Sequence, residues 1–155
     1  MSMPQLNKAA PEFDLPATSD QTISLASLKG SKVVLYFYPR DATPGCTTES
    51  QNFRDAIEHF TQAGAVVLGI SQDSVASHEK FKAKQAMPFE LLSDESGEIC
   101  NAYDVIRLKK MYGKEFEGIE RSTFLIDEKG VLRSEWRKVK VPGHVDEVLT
   151  AVQAL

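Results

Sequence analysis

Residues 33–46 read VVLYFYPRDATPGC, and this stretch decides the fold. Its first six residues are an unbroken apolar run in which every side chain except Leu35 is β-branched or aromatic, and Pro39 ends the run. Such a run is typical of a strand buried on both faces, as in a parallel or mixed central sheet. Thr43 and Pro44 suit the N-cap and first position of a helix. The stretch therefore predicts a strand, a loop and a helix that together present Cys46 at a sheet edge, where ligand sites of α/β proteins form.

The same patterns predict alternating strands and helices along the rest of the chain. A loop-rich segment, residues 1–31, precedes the first strand, and residues 104–120 are expected to be irregular and basic. The expected elements are a helix from about Cys46 to Ala63, a strand at 65–70, a helix at 74–85, a strand at 88–92, a helix at 94–103, a hairpin at 122–127 and 131–136, and a last helix after Pro142-Gly143. This order predicts one α/β domain over residues 1–155, built as a three-layer α/β/α sandwich around a mixed sheet.

The composition excludes several classes of protein. Lys and Arg number 18 and Asp and Glu 22, so the net charge of −4 argues against general nucleic-acid binding. The apolar runs are too short to cross a membrane, and no signal-peptide pattern is present, so we expect a cytoplasmic protein without a membrane partner. The three histidines, His59, His78 and His144, lack ligand spacing, so we predict no metal site, and no motif indicates a bound cofactor. We expect His59 and His78 on helix surfaces, and His144 in a capping or packing role.

The chain has 2 cysteines, Cys46 and Cys100, too few for a disulfide framework or a Cys-rich zinc site. Cys46 falls in the first turn of the predicted helix, where the helix dipole and free N–H groups favour the thiolate, which is the nucleophile. Gly45 removes side-chain bulk beside it, so that a small ligand can approach the backbone. These features indicate that Cys46 is reactive rather than a buried bystander.

The pattern Pro39-x-x-x-Thr43-x-x-Cys46 resembles the active-site motif of the peroxiredoxins. Together with Pro44, Gly45, Thr47 and Glu49, it is similar to the bacterioferritin comigratory protein, or PrxQ, subfamily. Further matching segments are Ala10-Pro11-x-Phe13, residues 33–39, residues 91–94, residues 120–127 and residues 138–144. The resemblance covers nearly the whole chain and implies a thioredoxin-like fold with the peroxiredoxin N-terminal extension.

The resemblance implies a thiol peroxidase of antioxidant defence and cell redox homeostasis. In this interpretation Cys46 attacks hydrogen peroxide or an organic hydroperoxide and becomes a sulfenic acid. The backbone N–H groups of Gly45 and Cys46, with Arg121, stabilise the transition state, and the Thr43 hydroxyl orients the peroxide. Pro39 shields the sulfur from water. Glu49, one helical turn after Cys46, either orients Arg121 or is an ordinary exposed acid.

The step that regenerates Cys46 is where this sequence departs from the subfamily. The two usual positions of a second, resolving cysteine hold Gln51 and Lys82. We therefore expect a 1-Cys mechanism in which an external thiol, such as thioredoxin, glutaredoxin or glutathione, reduces the sulfenic acid. The alternative is an intramolecular disulfide between Cys46 and Cys100, an atypical 2-Cys mechanism.

Three other questions stay open at this stage. A thiol–disulfide oxidoreductase is disfavoured because no C-x-x-C pair is present, and a non-enzymatic holdase or interaction module would not explain Thr43, Cys46 and Arg121 together. We expect a monomer, with a dimer as the alternative. The basic run at 107–114 is interpreted as a solvated loop, or else as a docking surface for an acidic reductant.

Overall fold

The structure, a computed structural model, describes residues 4–155. These residues form nine strands, four α-helices and a short 3-10 helix at Ala26–Leu28. The strands are β1 (Asp14–Ala17), β2 (Gln21–Ser24), β3 (Lys32–Phe37), β4 (Ala65–Ser71), β5 (Leu91–Ser93), β6 (Ile106–Met111), β7 (Lys114–Ile119), β8 (Ser122–Ile126) and β9 (Leu132–Trp136). The helices are α1 (Pro44–Gln62), α2 (Val75–Gln85), α3 (Glu98–Ala102) and α4 (His144–Gln153).

Seven of the strands form one mixed sheet in the order β2-β1-β5-β4-β3-β8-β9. The strands β3, β4 and β5 are parallel to one another, and β8 runs antiparallel to β3 at the centre. β8 and β9 form the predicted hairpin, whose turn includes Gly130 at a positive φ of 82°. The mixed sheet predicted from the sequence is confirmed.

The side chains of β3 alternate between two hydrophobic clusters, one on each face of the sheet. Val33, Leu35 and Phe37 belong to the first cluster, which also takes in α3 and residues of the N-terminal segment. Val34 and Tyr36 belong to the second, which packs against α1, α2 and α4. A strand covered on both faces must be apolar at every position, which explains its unbroken run. The three-layer α/β/α arrangement is therefore confirmed.

Residues 104–120 are not irregular, contrary to the sequence-based expectation. They form the hairpin of β6 and β7, a separate two-stranded sheet closed by Tyr112 and Gly113, both at positive φ. Most of their side chains are exposed. The apolar alternation that marks a half-buried strand is confined to residues 106–109 and stops at Lys110. The N-terminal segment likewise contains β1 and β2, and β5 and α3 are shorter than expected.

Candidate active site

The first turn of α1 carries the cysteine that the sequence singles out. Thr43 occupies the N-cap position and Pro44 the first turn, as predicted. The N–H of Thr47 donates the first backbone hydrogen bond of the helix, to the Thr43 carbonyl at 2.9 Å. The amides of Gly45 and Cys46 therefore precede any acceptor within the helix. These N–H groups and the helix dipole favour negative charge at the Cys46 sulfur.

Arg121 bridges this sulfur and a buried carboxylate. Its Nη2 donates to Sγ of Cys46 at 3.2 Å, and its Nη1 donates to Oε1 of Glu49 at 2.7 Å. Cys46 is 1% exposed and the Glu49 side chain is fully buried, whereas the Arg121 side chain keeps 15% of its surface exposed. The guanidinium therefore links a shielded sulfur to a shielded carboxylate and is itself reached by solvent.

Burial and neighbouring charges shift the pKa values of Glu49 and Arg121 in opposite directions. Burial raises the pKa of Glu49 from its ordinary 4.5 to about 7, although the charge and hydrogen bond of Arg121 oppose the increase. Burial alone would lower the pKa of Arg121, but Glu49 and Cys46 outweigh it and the pKa is raised. Oε2 of Glu49 has no hydrogen-bond partner among residues 4–155. Arg121 is thus a permanent cation at the sulfur, and Glu49 changes charge near neutral pH.

The other predicted site residues surround this group. A Cβ on Gly45 would lie 3.1 Å from Nη2 of Arg121, so glycine leaves room for the guanidinium against the helix start. The Thr43 hydroxyl does not cap the helix but donates to the Arg40 carbonyl at 2.9 Å. Its oxygen can still accept a hydrogen bond from a ligand. Pro39 is half-buried in the loop between β3 and α1.

A buried hydrogen-bond network that the sequence did not reveal holds this loop. Asp41 accepts hydrogen bonds from the Tyr38 hydroxyl at 2.6 Å and the Ser77 hydroxyl at 2.8 Å. Its Oδ2 lies 2.7 Å from Nδ1 of His78, and its backbone N–H donates to Asp73 at 2.8 Å. The network connects the loop to α2 and to the end of β4. These contacts hold in place the loop that leads to Cys46.

His78 was expected on a helix surface, and that prediction is wrong, because the structure buries it completely. Its Nε2 faces the Leu92 carbonyl at 2.9 Å, which requires a proton on that nitrogen. The spacing of His78 and Phe81, three residues apart on one helix face, was the sequence signal for burial.

The same network brings a set of metal-type ligands together. Oxygen atoms of Asp41 and Asp73 and a ring nitrogen of His78 lie within 4.8 Å of one another. Hydrogen bonds from Tyr38, Ser77 and Ser71 already engage these carboxylates. The donor set therefore fits a closed polar network rather than an open coordination site.

The remaining histidines lie as expected. His59 is exposed on α1. His144 begins α4 and is buried, with its Nε2 2.7 Å from the Thr123 hydroxyl. Burial and the Arg121 charge lower the pKa of His144 to about 4, so its ring is neutral at neutral pH.

Cys100 lies in different surroundings from Cys46. It is fully buried in the first hydrophobic cluster, whereas Cys46 belongs to the second cluster on the opposite face of the sheet. Burial, reinforced by the hydrogen bond and charge of Asp94, raises the pKa of the Cys100 thiol far above its usual range. Cys100 is therefore a neutral, shielded thiol separated from Cys46 by the central sheet.

Gln51 and Lys82, the two positions where the family resemblance led us to expect a resolving cysteine, are long polar side chains. Nε2 of Gln51 donates to Oε1 of Gln85, near the end of α2, at 2.8 Å. Lys82 forms an ion pair with Glu90 and donates to the Ser19 hydroxyl. The Gln51 contact joins α1 to α2, and the Lys82 contacts join α2 to Glu90 and Ser19.

The chain is similar in sequence to a protein-family model and to several named bacterial proteins. Residues 6–135 match the model of the AhpC/TSA family. The chain is 52% identical over 145 residues to a putative peroxiredoxin bcp of Coxiella burnetii, covering 94% of this chain and 96% of the relative. It is 50% identical over 149 residues to peroxiredoxin Bcp of Bacillus subtilis, covering 96% and 95%.

A solved structure gives the same result for the fold. The bacterioferritin comigratory protein of Xanthomonas campestris is 48% identical, with a TM-score of 0.87 over 92% of this chain and 90% of that one. That relative has alkyl peroxide reduction activity, and its structure is of a trapped intermediate/ligand complex. Among the helices of residues 4–155, none has the length and hydrophobicity needed to span a bilayer.

Proposed function

The chain belongs to the AhpC/TSA family and is a peroxiredoxin of the Bcp (PrxQ) subfamily with the thioredoxin-like fold, and from this premise we propose a 1-Cys thiol peroxidase that acts through Cys46. Its substrates are hydrogen peroxide and organic hydroperoxides, including alkyl peroxides such as the Xanthomonas relative reduces. The contact of Arg121 with Cys46 at 3.2 Å carries the assignment of the site.

The chemical step is a displacement at oxygen. The Cys46 thiolate attacks one peroxide oxygen, an S–O bond forms as the O–O bond breaks, and the other oxygen leaves as hydroxide or alkoxide. That anion takes up a proton and departs as water or alcohol, while Cys46 becomes a sulfenic acid. In the transition state the negative charge is spread over the sulfur and both peroxide oxygens, so fixed donors directed at these atoms lower the barrier.

The residues around Cys46 match those demands. Arg121 holds a permanent charge against the sulfur, and Glu49 fixes the guanidinium by a 2.7 Å bond. The free amides of Gly45 and Cys46 provide two more donors at the helix start. Thr43 keeps an acceptor oxygen for the peroxide O–H, because its proton is directed to Arg40. Pro39 is proposed to limit the access of water to the sulfur.

The position of Cys100 supports recycling by an external thiol. Cys46 and Cys100 are the 2 cysteines of the sequence, and they lie in clusters on opposite faces of the sheet. A disulfide needs Cα atoms roughly 4.4–6.8 Å apart, so pairing these two residues would require the fold to open. Gln51 and Lys82 offer no second thiol.

The recycling reaction then uses two thiols from outside the chain. A first thiol attacks the sulfenic sulfur and forms a mixed disulfide, and the sulfenic oxygen leaves as water. A second thiol attacks the mixed disulfide and releases Cys46 as a thiolate. Thioredoxin, glutaredoxin and glutathione are candidate reductants. The proposal further includes a single domain over residues 1–155, a monomer, and action in the cytoplasm, where thiols are kept reduced.

Peroxide consumption with dithiothreitol as reductant tests this function. We expect the wild-type protein and Cys100→Ser to consume hydrogen peroxide at the same rate, and Cys46→Ser to show only the uncatalysed rate. Cys100→Ser is the matched control, because it removes the same atom from the other face of the sheet. Equal rates for Cys46→Ser and wild type would contradict the peroxidase proposal.

A further inference from the structure

The hairpin of β6 and β7 exposes an unusual amount of apolar surface. Among residues 4–155, six large hydrophobic side chains are exposed, and four of them lie on this hairpin. They are Leu108, Met111, Tyr112 and Phe116, with exposed fractions of 62%, 57%, 96% and 43%. Exposed apolar side chains gathered on one element mark an interaction surface more often than scattered ones do.

The register of the hairpin separates its side chains into two different faces. Lys109 pairs with Phe116, Met111 pairs with Lys114, and Arg107 pairs with Gly118. Paired residues share a face, so one face holds three cations, Met111 and Phe116, with no acidic residue of either strand. We call it the basic face. The opposite face carries Leu108 and Lys110 together with Glu115 and Glu117.

The basic face adjoins the active site. Nζ of Lys109 donates to the Ile119 carbonyl at 2.6 Å, two residues before Arg121. The pKa of Lys109 is lowered by burial and by the Arg121 charge, which together outweigh the opposite effects of Cys46 and Glu120. Gly118 allows this approach, because a Cβ there would lie 3.3 Å from Cδ of Lys109.

The charge of the basic face is largely uncompensated. Arg107 contacts Asp104 and Glu120, but Lys109 and Lys114 form no ion pair within the described residues 4–155. Lys110, on the opposite face, pairs with Glu115. A chain of net charge −4 therefore presents a local cationic and apolar surface beside Cys46. The complementary partner has acidic and apolar side chains around its own reactive group.

We propose that the basic face is the docking surface for a protein thiol reductant with an acidic, partly apolar rim around its nucleophilic thiol. This inference rests on the proposed recycling of Cys46 by an external thiol. Strands of this length span about 20 Å, which exceeds a tripeptide thiol and suits a folded protein. Two copies of this chain meeting through their basic faces would place like charges opposite each other, which disfavours self-association there.

A charge reversal on each face of the hairpin tests the proposal. The probe is a bacterial thioredoxin of negative net charge, supplied with thioredoxin reductase and NADPH. For Lys114→Glu we expect the KM for thioredoxin to rise about five- to tenfold, with the rate supported by dithiothreitol unchanged. Lys110→Glu makes the same charge change on the opposite face and should leave both values unchanged. Phe116→Ser should raise the KM without changing the salt dependence of turnover.

The outcomes separate this proposal from the peroxidase function. Equal KM values for wild type, Lys114→Glu and Lys110→Glu would overturn the docking surface. So would a wild-type protein that turns over with dithiothreitol but not with thioredoxin, while the peroxidase function would stand. Failure of turnover with dithiothreitol as well would instead count against the peroxidase function. A concentration-dependent dimer in light scattering that Phe116→Ser abolishes would assign the face to a second copy and overturn the proposal.

Discussion

Replacing Glu49 by Gln probes the charge balance of the active site without changing its shape. The side chain is fully buried, and one of its oxygens has no partner among residues 4–155, while the other receives the Arg121 bond. Gln keeps an oxygen for Arg121 and removes the titratable group. The substitution should therefore change the pH dependence of stability and of catalysis more than the packing.

The size of the effect on stability follows from the raised pKa. Glu49 titrates near 7 in the folded protein and near its ordinary 4.5 when unfolded, so the folded state holds the proton more tightly. Stability from this group is complete at low pH and is lost as the pH rises from 4.5 to 7. The free energy of unfolding of Glu49→Gln minus that of wild type should grow by about 2–3 kcal/mol between about pH 5 and pH 8.

Urea unfolding across this pH range measures the difference. Glu90→Gln is the matched control, because the pKa of Glu90 is lowered: burial opposes the shift, but hydrogen bonds from Lys82, Thr18 and Ser19 outweigh it. Its stabilising contribution is complete above its ordinary value of 4.5, so the Glu90→Gln difference should stay constant between about pH 5 and pH 8. A constant difference for Glu49→Gln as well would refute the reasoning about Glu49.

Three further predictions concern the surroundings of Cys46. Arg121→Lys should lower the second-order rate of Cys46 oxidation by about 10²-fold in stopped-flow measurements, because a lysine cannot hold the geometry of two fixed donors, and an unchanged rate would count against the arginine. Thr43→Val should lower the same rate about tenfold and Thr43→Ser should restore it; equal rates for the two variants would exclude a role for the hydroxyl. His78→Ala should lower the free energy of unfolding by about 3–5 kcal/mol in urea, since it leaves a buried cavity and removes a hydrogen-bond partner from Asp41 and from the Leu92 carbonyl. A loss under about 1 kcal/mol would contradict this role of the ring.

The segment from β3 to Cys46 was predictable because each of its local signals agrees with the fold. The unbroken apolar run requires cover on both faces, Pro39 ends the strand, and Thr43 with Pro44 begins the helix. The contact between Arg121 and Cys46 is different, because the two residues are 75 positions apart. Residue patterns alone place Arg121 only at a strand end, and the family resemblance pointed to its role.

Two features could not be read from local patterns. The hairpin of β6 and β7 has solvent on both faces, so its strands carry charged side chains at half of their positions and their apolar alternation is too short to predict them. The spacing of His78 and Phe81 indicates a buried face of α2, but the partners of His78, Asp41 and the Leu92 carbonyl, meet only when α2 packs on the sheet. Ala42, at a positive φ of 63°, shows that the loop beside this network adopts a strained backbone that surrounding contacts must hold.

Mass spectrometry of the protein after one equivalent of hydrogen peroxide tests the central claim most directly. Trapping with a sulfenic-acid reagent and then digesting should show one added oxygen on Cys46 and an unmodified, reduced Cys100. The two residues lie on opposite faces of the sheet, and the Cys100 thiol is neutral and shielded. An intramolecular Cys46–Cys100 disulfide in most molecules would contradict the 1-Cys mechanism.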